Sequence, residues 1–367
     1  MRILIAPDKF AGTLSAPEAA RAIAEGWLRH KPDDVVTLAP MADGGPGFVD
    51  VLFEALGGET LVETVLGPLR NQVPVSMLQI GETVYVESAQ ACGLHLVTDR
   101  EPMRATSYGV GQAIRAAVET GARRIVIGLG GSATNDGGAG LLAALGATAD
   151  VPLDQGPAGM VGVTNCDLTD VRALLDGIEL VIATDVDLPL LGMFGATKTF
   201  GPQKGLDDSD IMRVDGILDA LVVATCGTAP SQRKIADDKG AGAAGGLGFA
   251  LLVLGASRVS GIELVAGAAE LERQAAEHDL VVTGEGTFDY SSRAGKVVYG
   301  VAQSAAAAAR PCIVLAGHVT VGSRETRAMG VESAYSMVDL VGEAESLGNA
   351  RVSLARLAER VARTWSP

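Results

Sequence analysis

Short apolar segments alternate with amphipathic, helix-like segments along most of this chain, and no other feature constrains its fold as strongly. The first apolar segment, residues 2–6, is followed by Ser15-Ala-Pro-Glu18, a capping box with proline in the first helical turn. A second capping box, Ser260-Gly-Ile-Glu263, starts a helix that we expect to run to about Glu277. Strands that alternate with helices pair in parallel through crossover connections. The sequence therefore predicts an α/β fold built on a doubly wound parallel sheet.

The length of the chain, 367 residues, suggests two domains rather than one. Residues 74–80 and 83–87 alternate in polarity around Gly81-Glu82 and predict a hairpin, which a purely parallel sheet does not contain. We therefore expect a Rossmann-like or flavodoxin-like domain from residues 1–63 and 261–367, with residues 64–260 inserted as a second α/β domain. The other predicted strands are residues 35–39, 124–129, 179–184, 280–283, 312–316 and 333–337, and the tail, residues 344–364, is a predicted amphipathic helix.

The composition argues against several classes of function. Lys and Arg total 29 against 44 Asp and Glu, and the resulting net charge of −15 repels nucleic acids. No apolar run reaches the roughly 20 residues that a membrane helix needs. The first residues turn charged too early for a signal peptide, so we expect a cytoplasmic protein. The four cysteines and four histidines are scattered, which argues against a zinc site or a disulfide framework.

Acids, hydroxyls and glycines follow nearly every predicted strand. In open parallel sheets, ligands bind beyond the carboxyl ends of the strands, so these residues form the predicted site. They are Asp8 and Lys9 after the first strand, Asp43 and Gly44 after the second, Gly130, Gly131, Ser132, Thr134, Asn135 and Asp136 after residues 124–129, Asp185 and Asp187 after residues 179–184, and Glu285 after residues 280–283.

Glycine is in excess, with 47 residues in the chain, and its strongest cluster is Ile127-Gly-Leu-Gly-Gly-Ser-Ala-Thr-Asn-Asp-Gly-Gly138. A strand, a glycine loop and a helix start in succession bring backbone N–H groups and a positive dipole end together, which suits phosphate. A tight turn whose glycines serve packing alone is the alternative. The segment is not a Walker A loop, and it matches Gly-x-Gly-x-x-Gly only incompletely, so a nicotinamide-binding fold stays open on a weak signal.

Asp185 and Asp187 alternate along an extended segment, so their side chains project to the same side. Two nearby carboxylates can hold Mg²⁺, which takes one or two carboxylates together with substrate phosphates. One of them can instead accept the proton of an attacking hydroxyl, a role that kinases give to aspartate. A pair of surface acids in a loop is the alternative without a function.

Three lysines, Lys9, Lys204 and Lys296, lie in loops rich in glycine or acids. As point charges, they can hold a transferring phosphoryl group or a substrate carboxylate. Lys296 follows a glycine at a predicted helix start, where a cation opposes the helix dipole unless an anion lies nearby. An ordinary solvated lysine is the commoner explanation for any one of them.

Seven segments, in order and almost from end to end of the chain, resemble the successive signatures of the glycerate kinase family usual in bacteria. They are Ala6-Pro-Asp-Lys-Phe10 with Gly12-Thr-Leu-Ser15, Ala42-Asp-Gly-Gly45, Gly128-Leu-Gly-Gly-Ser-Ala-Thr-Asn-Asp-Gly-Gly138, Ala183-Thr-Asp-Val-Asp187, Phe200-Gly-Pro-Gln-Lys-Gly205, Gly240-Ala-Gly-Ala-Ala-Gly-Gly246 and Thr283-Gly-Glu-Gly286. The resemblance implies a two-domain α/β kinase that uses ATP and Mg²⁺ and phosphorylates D-glycerate, chiefly at the 2-hydroxyl, to 2-phosphoglycerate. It also implies an active site in the cleft between the domains, with small molecules as partners rather than nucleic acid or membrane.

The resemblance further implies roles for individual residues. The carboxylate of glycerate would meet Lys9, one of Asp185 and Asp187 would poise the hydroxyl, and residues 130–138 would cradle phosphates. The predicted catalytic residues are Asp8, Lys9, Asp185 and Asp187, with Asp185 and Asp187 also as Mg²⁺ ligands. The predicted substrate- and phosphate-binding residues are Asp43, Gly44, Gly130, Gly131, Ser132, Thr134, Asn135, Asp136, Lys204, Glu285 and Lys296.

The chain departs from the family pattern at a few positions. Pro46 and Phe48 replace a Glu and a Thr of the second signature, and Leu188 stands where an Asn is common. Because lost polar groups can change which acid fits, the alternatives are a kinase of another small hydroxy acid or a glycerate 3-kinase. More distant alternatives are a kinase of the homoserine and mevalonate type, an oxidoreductase, and a ligand-binding protein that has lost catalysis.

Overall fold

A computed structural model describes residues 1–10, 12–293 and 297–366, which form two compact units. Unit 1 comprises Met1–Asp43, Asp50–Leu56 and Ser260–Pro367. Unit 2 comprises Gly44–Val49 and Gly57–Val259. Both units combine helices with a largely parallel sheet, so the predicted α/β class is confirmed.

The strands are β1 (Arg2–Ile5), β2 (Val35–Leu38), β3 (Glu59–Leu66), β4 (Gln72–Ile80), β5 (Thr83–Glu87), β6 (Arg124–Gly128), β7 (Thr148–Ala149), β8 (Cys166–Asp167), β9 (Glu179–Ala183), β10 (Ser257–Val259), β11 (Leu280–Thr283), β12 (Thr287–Phe288), β13 (Cys312–Ala316), β14 (His318–Val319) and β15 (Ser333–Ser336). The helices are α1 (Ala16–His30), α2 (Phe48–Leu56), α3 (Ser88–Cys92), α4 (Tyr108–Glu119), α5 (Ala139–Leu145), α6 (Gly156–Gly159), α7 (Thr169–Leu174), α8 (Ala196–Phe200), α9 (Asp208–Cys226), α10 (Pro230–Arg233), α11 (Leu247–Val253), α12 (Gly261–Ala268), α13 (Leu271–Ala276), α14 (Val297–Ala307), α15 (Ser323–Ala328), α16 (Met337–Val341), α17 (Glu343–Gly348) and α18 (Ala350–Trp365). None of the helices within the described residues is both long enough and apolar enough to cross a lipid bilayer.

Unit 1 is built on a five-stranded parallel sheet in the order β15-β13-β11-β1-β2. Ile3 and Ile5 of β1 belong to a core that also contains residues of α1 and α18. Leu4, which lies between them and points to the opposite face, is equally buried, and α14 packs against β11 and β13. Because both faces are covered, these strands read as continuous apolar runs.

Unit 2 has a six-stranded sheet in the order β10-β9-β6-β5-β4-β3. Strands β5, β6, β9 and β10 are parallel, whereas β3, β4 and β5 form an antiparallel meander. The predicted hairpin is confirmed, because β4 and β5 pair in antiparallel register around Gly81, which has φ +58°. Glycine accepts that conformation without steric strain.

Three features differ from the elements that the sequence predicts. Strand β3 pairs with β4 along its whole length, so residues 59–63 lie in unit 2, whereas the sequence predicts a domain boundary after residue 63. The helix expected from Ser260 to Glu277 is divided into α12 and α13 at Glu270, whose φ of +49° is left-handed. The tail helix is likewise divided into α17 and α18, because the backbone of Asn349 leaves the helical region.

Candidate active site

The carboxyl ends of β1 and β11 place predicted site residues of unit 1 side by side. Beyond the paired strands, the amide of Ala6 donates to the carbonyl of Val282, and the amide of Asp8 donates to the carbonyl of Gly284. The hydroxyl of Thr283 donates to the carbonyl of Ala6 at 2.7 Å. These bonds continue the sheet ladder past the strands and fix the loop that carries Asp8 beside the loop that carries Glu285.

A cavity of about 330 Å³ lies at this edge of unit 1. Four carboxyl groups and one ammonium group face it from the described residues, so its charge is negative. The lining residues are Asp8, Lys9, Phe10, Thr13, Asp43, Glu285, Gly286, Thr287, Asp289, Gly317, Met337, Ser346 and Leu347. The cavity therefore brings together the predicted residues Asp8, Lys9, Asp43 and Glu285.

Asp8, Lys9 and Asp43 form a compact charged group in this cavity. Asp8 is only 7% exposed, and its Oδ1 accepts hydrogen bonds from the Lys9 amide at 2.7 Å and from the Lys9 ammonium at 3.4 Å. The Lys9 ammonium also lies 3.6 Å from Oδ1 of Asp43. Burial raises the pKa of Asp8 to about 6 despite the nearby Lys9 charge. Burial alone would lower the pKa of Lys9, but Asp43 and Asp8 together raise it above its ordinary value.

The glycine loop after β6 in unit 2 is packed tightly at its glycines. A Cβ on Gly130 would meet the Cα of Gly45 at 2.8 Å, and one on Gly131, at φ +65°, would meet Pro46 at 2.9 Å. Gly44 lies beside the end of β9, where a Cβ on this glycine would meet the carbonyl of Ala183 at 2.3 Å. The amides of Gly130 and Gly131 have no hydrogen-bond acceptor among the described residues. Successive unpaired backbone amides in a glycine-rich loop are an arrangement that can bind an anion.

The polar side chains of the same loop are buried rather than directed to the surface. Asp136 accepts hydrogen bonds from the amide and hydroxyl of Ser107 and from the amides of Gly138 and Gly140. Burial raises the pKa of Asp136, although these hydrogen bonds oppose the change. Both polar atoms of the Asn135 side chain are buried without a hydrogen-bond partner in the described chain. Such a group usually contacts a water molecule or a ligand.

The buried side chain of Lys204 stabilises this loop. It is 3% exposed, and its ammonium donates to the hydroxyl of Ser132 at 3.0 Å and to the carbonyl of Thr134 at 2.6 Å. Burial lowers the pKa of Lys204 to about 8, although Cys92 and Asp136 act in the opposite direction. Two of its three N–H donors are used inside the protein. Lys204 therefore holds the loop in place.

Asp187 is engaged by two cations of unit 2. Its Oδ1 lies 2.5 Å from Nη2 of Arg258, and its Oδ2 lies 3.0 Å from the ammonium of Lys239. Both oxygens of Asp187 are thus taken by cations in this arrangement, and Mg²⁺ would have to replace at least one of these ion pairs to be bound by Asp187. Among the described residues, no group of three or more His, Cys, Asp or Glu side chains is arranged to hold a metal ion. Asp185 lies two residues earlier, directly after Thr184 at the end of β9.

The predicted site residues thus fall into two groups, one in each unit. Lys296 lies outside the described residues. Sequence reasoning missed Arg258 and Lys239, because the ion pairs that link them to Asp187 span 71 and 52 positions of the chain and leave no local pattern. Asp289 follows β12 and lines the cavity of unit 1, although it is not among the predicted site residues.

Comparison with known proteins gives matches along the whole chain. The model of the Glycerate kinase family matches residues 3–366. The chain is 38% identical over 376 residues to the Glycerate 2-kinase of Escherichia coli (strain K12), covering 99% of this chain and 98% of that protein. It is 39% identical over 351 residues to the Glycerate kinase of Bacillus subtilis (strain 168), covering 92% of this chain and 90% of that protein.

A solved structure gives the same result for the fold. The crystal structure of a candidate glycerate kinase 2 from Salmonella typhimurium LT2 superimposes with a TM-score of 0.78 and 36% identity, covering 100% of this chain and 98% of the other. The resemblance carried by the seven motifs is confirmed by these matches. This chain therefore belongs to the glycerate kinase family, whose members are enzymes that transfer a phosphoryl group to a hydroxyl group.

Proposed function

We propose that the protein is an ATP-dependent glycerate kinase that phosphorylates D-glycerate at its 2-hydroxyl and releases 2-phosphoglycerate. The similarity to the Glycerate 2-kinase of Escherichia coli over 99% of the chain carries this proposal, because it includes every segment with candidate site residues. ATP with its Mg²⁺ is the proposed phosphoryl donor. The cleft between two domains that the sequence predicts stays a prediction.

The two groups of residues support different parts of the reaction. The cavity of unit 1 contains four carboxyl groups and the ammonium of Lys9. The ammonium can pair with the carboxylate of a small hydroxy acid, and a carboxyl group can accept a hydrogen bond from its hydroxyl. The loop after β6 offers the unpaired amides of Gly130 and Gly131, which suit phosphate oxygens. In this proposal, Lys9 binds the acid substrate and Lys204 keeps the phosphate-binding loop in shape.

A kinase for a different small hydroxy acid is the second candidate. Pro46 packs against Gly131, where a Cβ on that glycine would lie 2.9 Å from the proline ring. Since the family pattern has glutamate at this position, a polar group next to the glycine loop is replaced by an apolar one. This change favours a substrate with fewer polar groups than glycerate.

An assay of ADP release over a panel of acids tests the proposal. D-Glycerate carries both hydroxyls, lactate and tartronate carry only the 2-hydroxyl, and hydroxypyruvate carries only the terminal hydroxyl. We expect the highest kcat/KM with D-glycerate and none without Mg²⁺. ADP release no faster with any acid than with buffer would refute the proposal, and a clear preference for hydroxypyruvate would indicate the 3-hydroxyl.

Replacement of Lys9 by methionine tests the role of this residue in the same assay. Loss of the ammonium should lower kcat/KM for the acid by at least about tenfold, since a charged hydrogen bond to substrate contributes about 1.5–3 kcal/mol. Lys31→Met, at the end of α1 in the same unit, is the matched control and should retain the activity of the unmodified enzyme. Equal kcat/KM values for the two variants would remove Lys9 from substrate binding.

A further inference from the structure

In kinases, an aspartate takes the proton of the acceptor hydroxyl, and its carboxylate must have an oxygen lone pair that is open to the substrate. Asp8 offers one. Its Oδ1 is occupied by the amide and the ammonium of Lys9, whereas no described residue donates a hydrogen bond to its Oδ2. Asp8 also lines the cavity of unit 1, at the carboxyl end of β1. The carboxyl group is thus held by one oxygen and leaves the other for a ligand.

Two aspartates of unit 2 are less suited to the same task. Both oxygens of Asp187 are paired with cations, Arg258 and Lys239, so neither oxygen is left open for the proton of a substrate hydroxyl. Asp136 is fully buried and accepts four hydrogen bonds from its own loop and from Ser107. Through these ion pairs, Asp187 positions Arg258 and Lys239.

The charged groups around Asp8 adjust its basicity. Lys9 follows β1 like Asp8 itself, Asp43 follows β2, Glu285 follows β11 and Asp289 follows β12. All of them line the same cavity. Burial and the negative charge of Asp43 raise the pKa of Asp8 to about 6, and Lys9 keeps it from rising further. A carboxyl group with that pKa is mostly ionised at neutral pH and is a stronger base than an ordinary aspartate.

We propose that Asp8 is the general base of the phosphoryl transfer, an assignment that rests on the proposed function. Oδ2 of Asp8 takes the proton of the acceptor hydroxyl while the hydroxyl oxygen forms a bond to the γ-phosphorus of ATP. The bond between that phosphorus and the β,γ-bridging oxygen breaks, and ADP leaves with the electron pair. Asp8 then returns its proton to water.

Three variants of the full-length enzyme test the assignment. Asp8→Asn keeps the shape of the side chain but cannot take a proton, so kcat should fall by roughly 10²–10⁴-fold. KM for the acid and the affinity for ADP should stay within about threefold, because neither depends on the lost proton transfer. Asp8→Ala leaves room for a small carboxylate, and added formate should restore part of its turnover. Asp33→Asn, an exposed aspartate of the same unit, is the control and should match the unmodified enzyme.

The pH profile provides a readout that a structural role would not change. For the unmodified enzyme, kcat/KM should fall tenfold per pH unit below about pH 6, the pKa of Asp8. The residual activity of Asp8→Asn should lack this acidic limb. An Asp8→Asn kcat within fivefold of the unmodified value would overturn the assignment, as would a retained acidic limb. So would a Glu285→Gln variant that loses turnover while Asp8→Asn keeps it.

The panel of acids separates this inference from the proposed function. If the unmodified enzyme phosphorylates one of the acids and Asp8→Asn does so equally well, only the assignment of Asp8 fails. If the unmodified enzyme phosphorylates none of them, the proposed function fails, and the assignment fails with it.

Discussion

At the scale of single residues, the ionised carboxyl group of Asp8 lowers the stability of the fold, because burial separates it from water. The pKa of Asp8 rises from 3.8 to about 6 on folding. Between these two values, the folded chain holds a proton that the unfolded chain has released. Lowering the pH through this window therefore favours folding, and above about pH 6 the whole cost of the charge is present.

The variant Asp8→Asn tests this cost, because its amide stays neutral at every pH. The melting temperature of Asp8→Asn minus that of the unmodified protein should be larger at pH 7.5 than at pH 4.5. Thermal unfolding followed by circular dichroism measures both values, with Asp33→Asn as the control for loss of a surface carboxylate. A difference between variant and unmodified protein that is equal at the two pH values, or larger at pH 4.5, would contradict the cost.

The sequence predicted which residues lie together at strand ends better than it predicted the partners of their side chains. Asp8 and Lys9 could be selected because they follow a buried strand, and the cavity of unit 1 does contain both. The ion pairs of Asp187 could not be predicted, because Arg258 and Lys239 approach it only after the sheet of unit 2 has formed. The burial of the polar side chains in the loop after β6 could not be predicted either, because Ser, Thr and Asn in a loop usually lie at the surface.

At the scale of elements, the two glycine-rich loops of unit 2 pack directly against each other. The amide of Gly137 donates to the carbonyl of Gly245 at 3.0 Å. Gly245 has φ +71°, and a Cβ there would lie 1.9 Å from the carbonyl oxygen of Thr134 and 2.9 Å from the ammonium of Lys204. The shape of the proposed phosphate loop therefore depends on the absence of a side chain at Gly245.

Two glycine-to-alanine substitutions should consequently have opposite effects on stability. Gly245→Ala should lower the free energy of unfolding by at least about 2 kcal/mol, because it adds backbone strain to a steric clash. Gly216→Ala, within α9 of the same unit and with no atom near its Cβ, should raise it by about 0.5–1 kcal/mol. Urea unfolding of both variants measures the two changes. Equal changes, or a Gly245→Ala protein as stable as the unmodified one, would contradict this packing.

Elements with strong local signals were predicted well, whereas their interruptions were not. Strands β6 and β9 are apolar on both faces and end within one residue of the predicted ends. Strand β3 was not predicted, because its sequence lacks a clear apolar face. Most of its residues are exposed or half-buried. The break at Glu270 carries no glycine or proline signal, since glutamate is an ordinary helix residue.

At the scale of the whole molecule, the net charge of −15 should repel both of the anionic substrates. Salt screens this repulsion, because the Debye length falls from about 30 Å at 0.01 M to about 8 Å at 0.15 M ionic strength. The KM for D-glycerate should therefore decrease over this range, while kcat at saturation should change by less than about twofold. Steady-state kinetics at constant free Mg²⁺ measures both values. A KM that increases with salt would indicate that local cations dominate the approach of the substrate.

The architecture as a whole could be predicted further than its details. Alternating strands and helices led to the α/β class, and the order of seven motifs led to the family. The division of the chain between the two units could be predicted only roughly. Gly44–Val49 belongs to unit 2, although it lies between two segments of unit 1. Such an excursion depends on long-range contacts that no local pattern records.

The ³¹P NMR spectrum of the product formed from ATP and D-glycerate tests the central claim most directly. In 2-phosphoglycerate the ester phosphorus is coupled to one methine proton, whereas in 3-phosphoglycerate it is coupled to two methylene protons. We predict a doublet from the new phosphate ester. A triplet would contradict the proposed regiochemistry, and the absence of any new organic phosphate would contradict the proposal that this protein is a glycerate kinase.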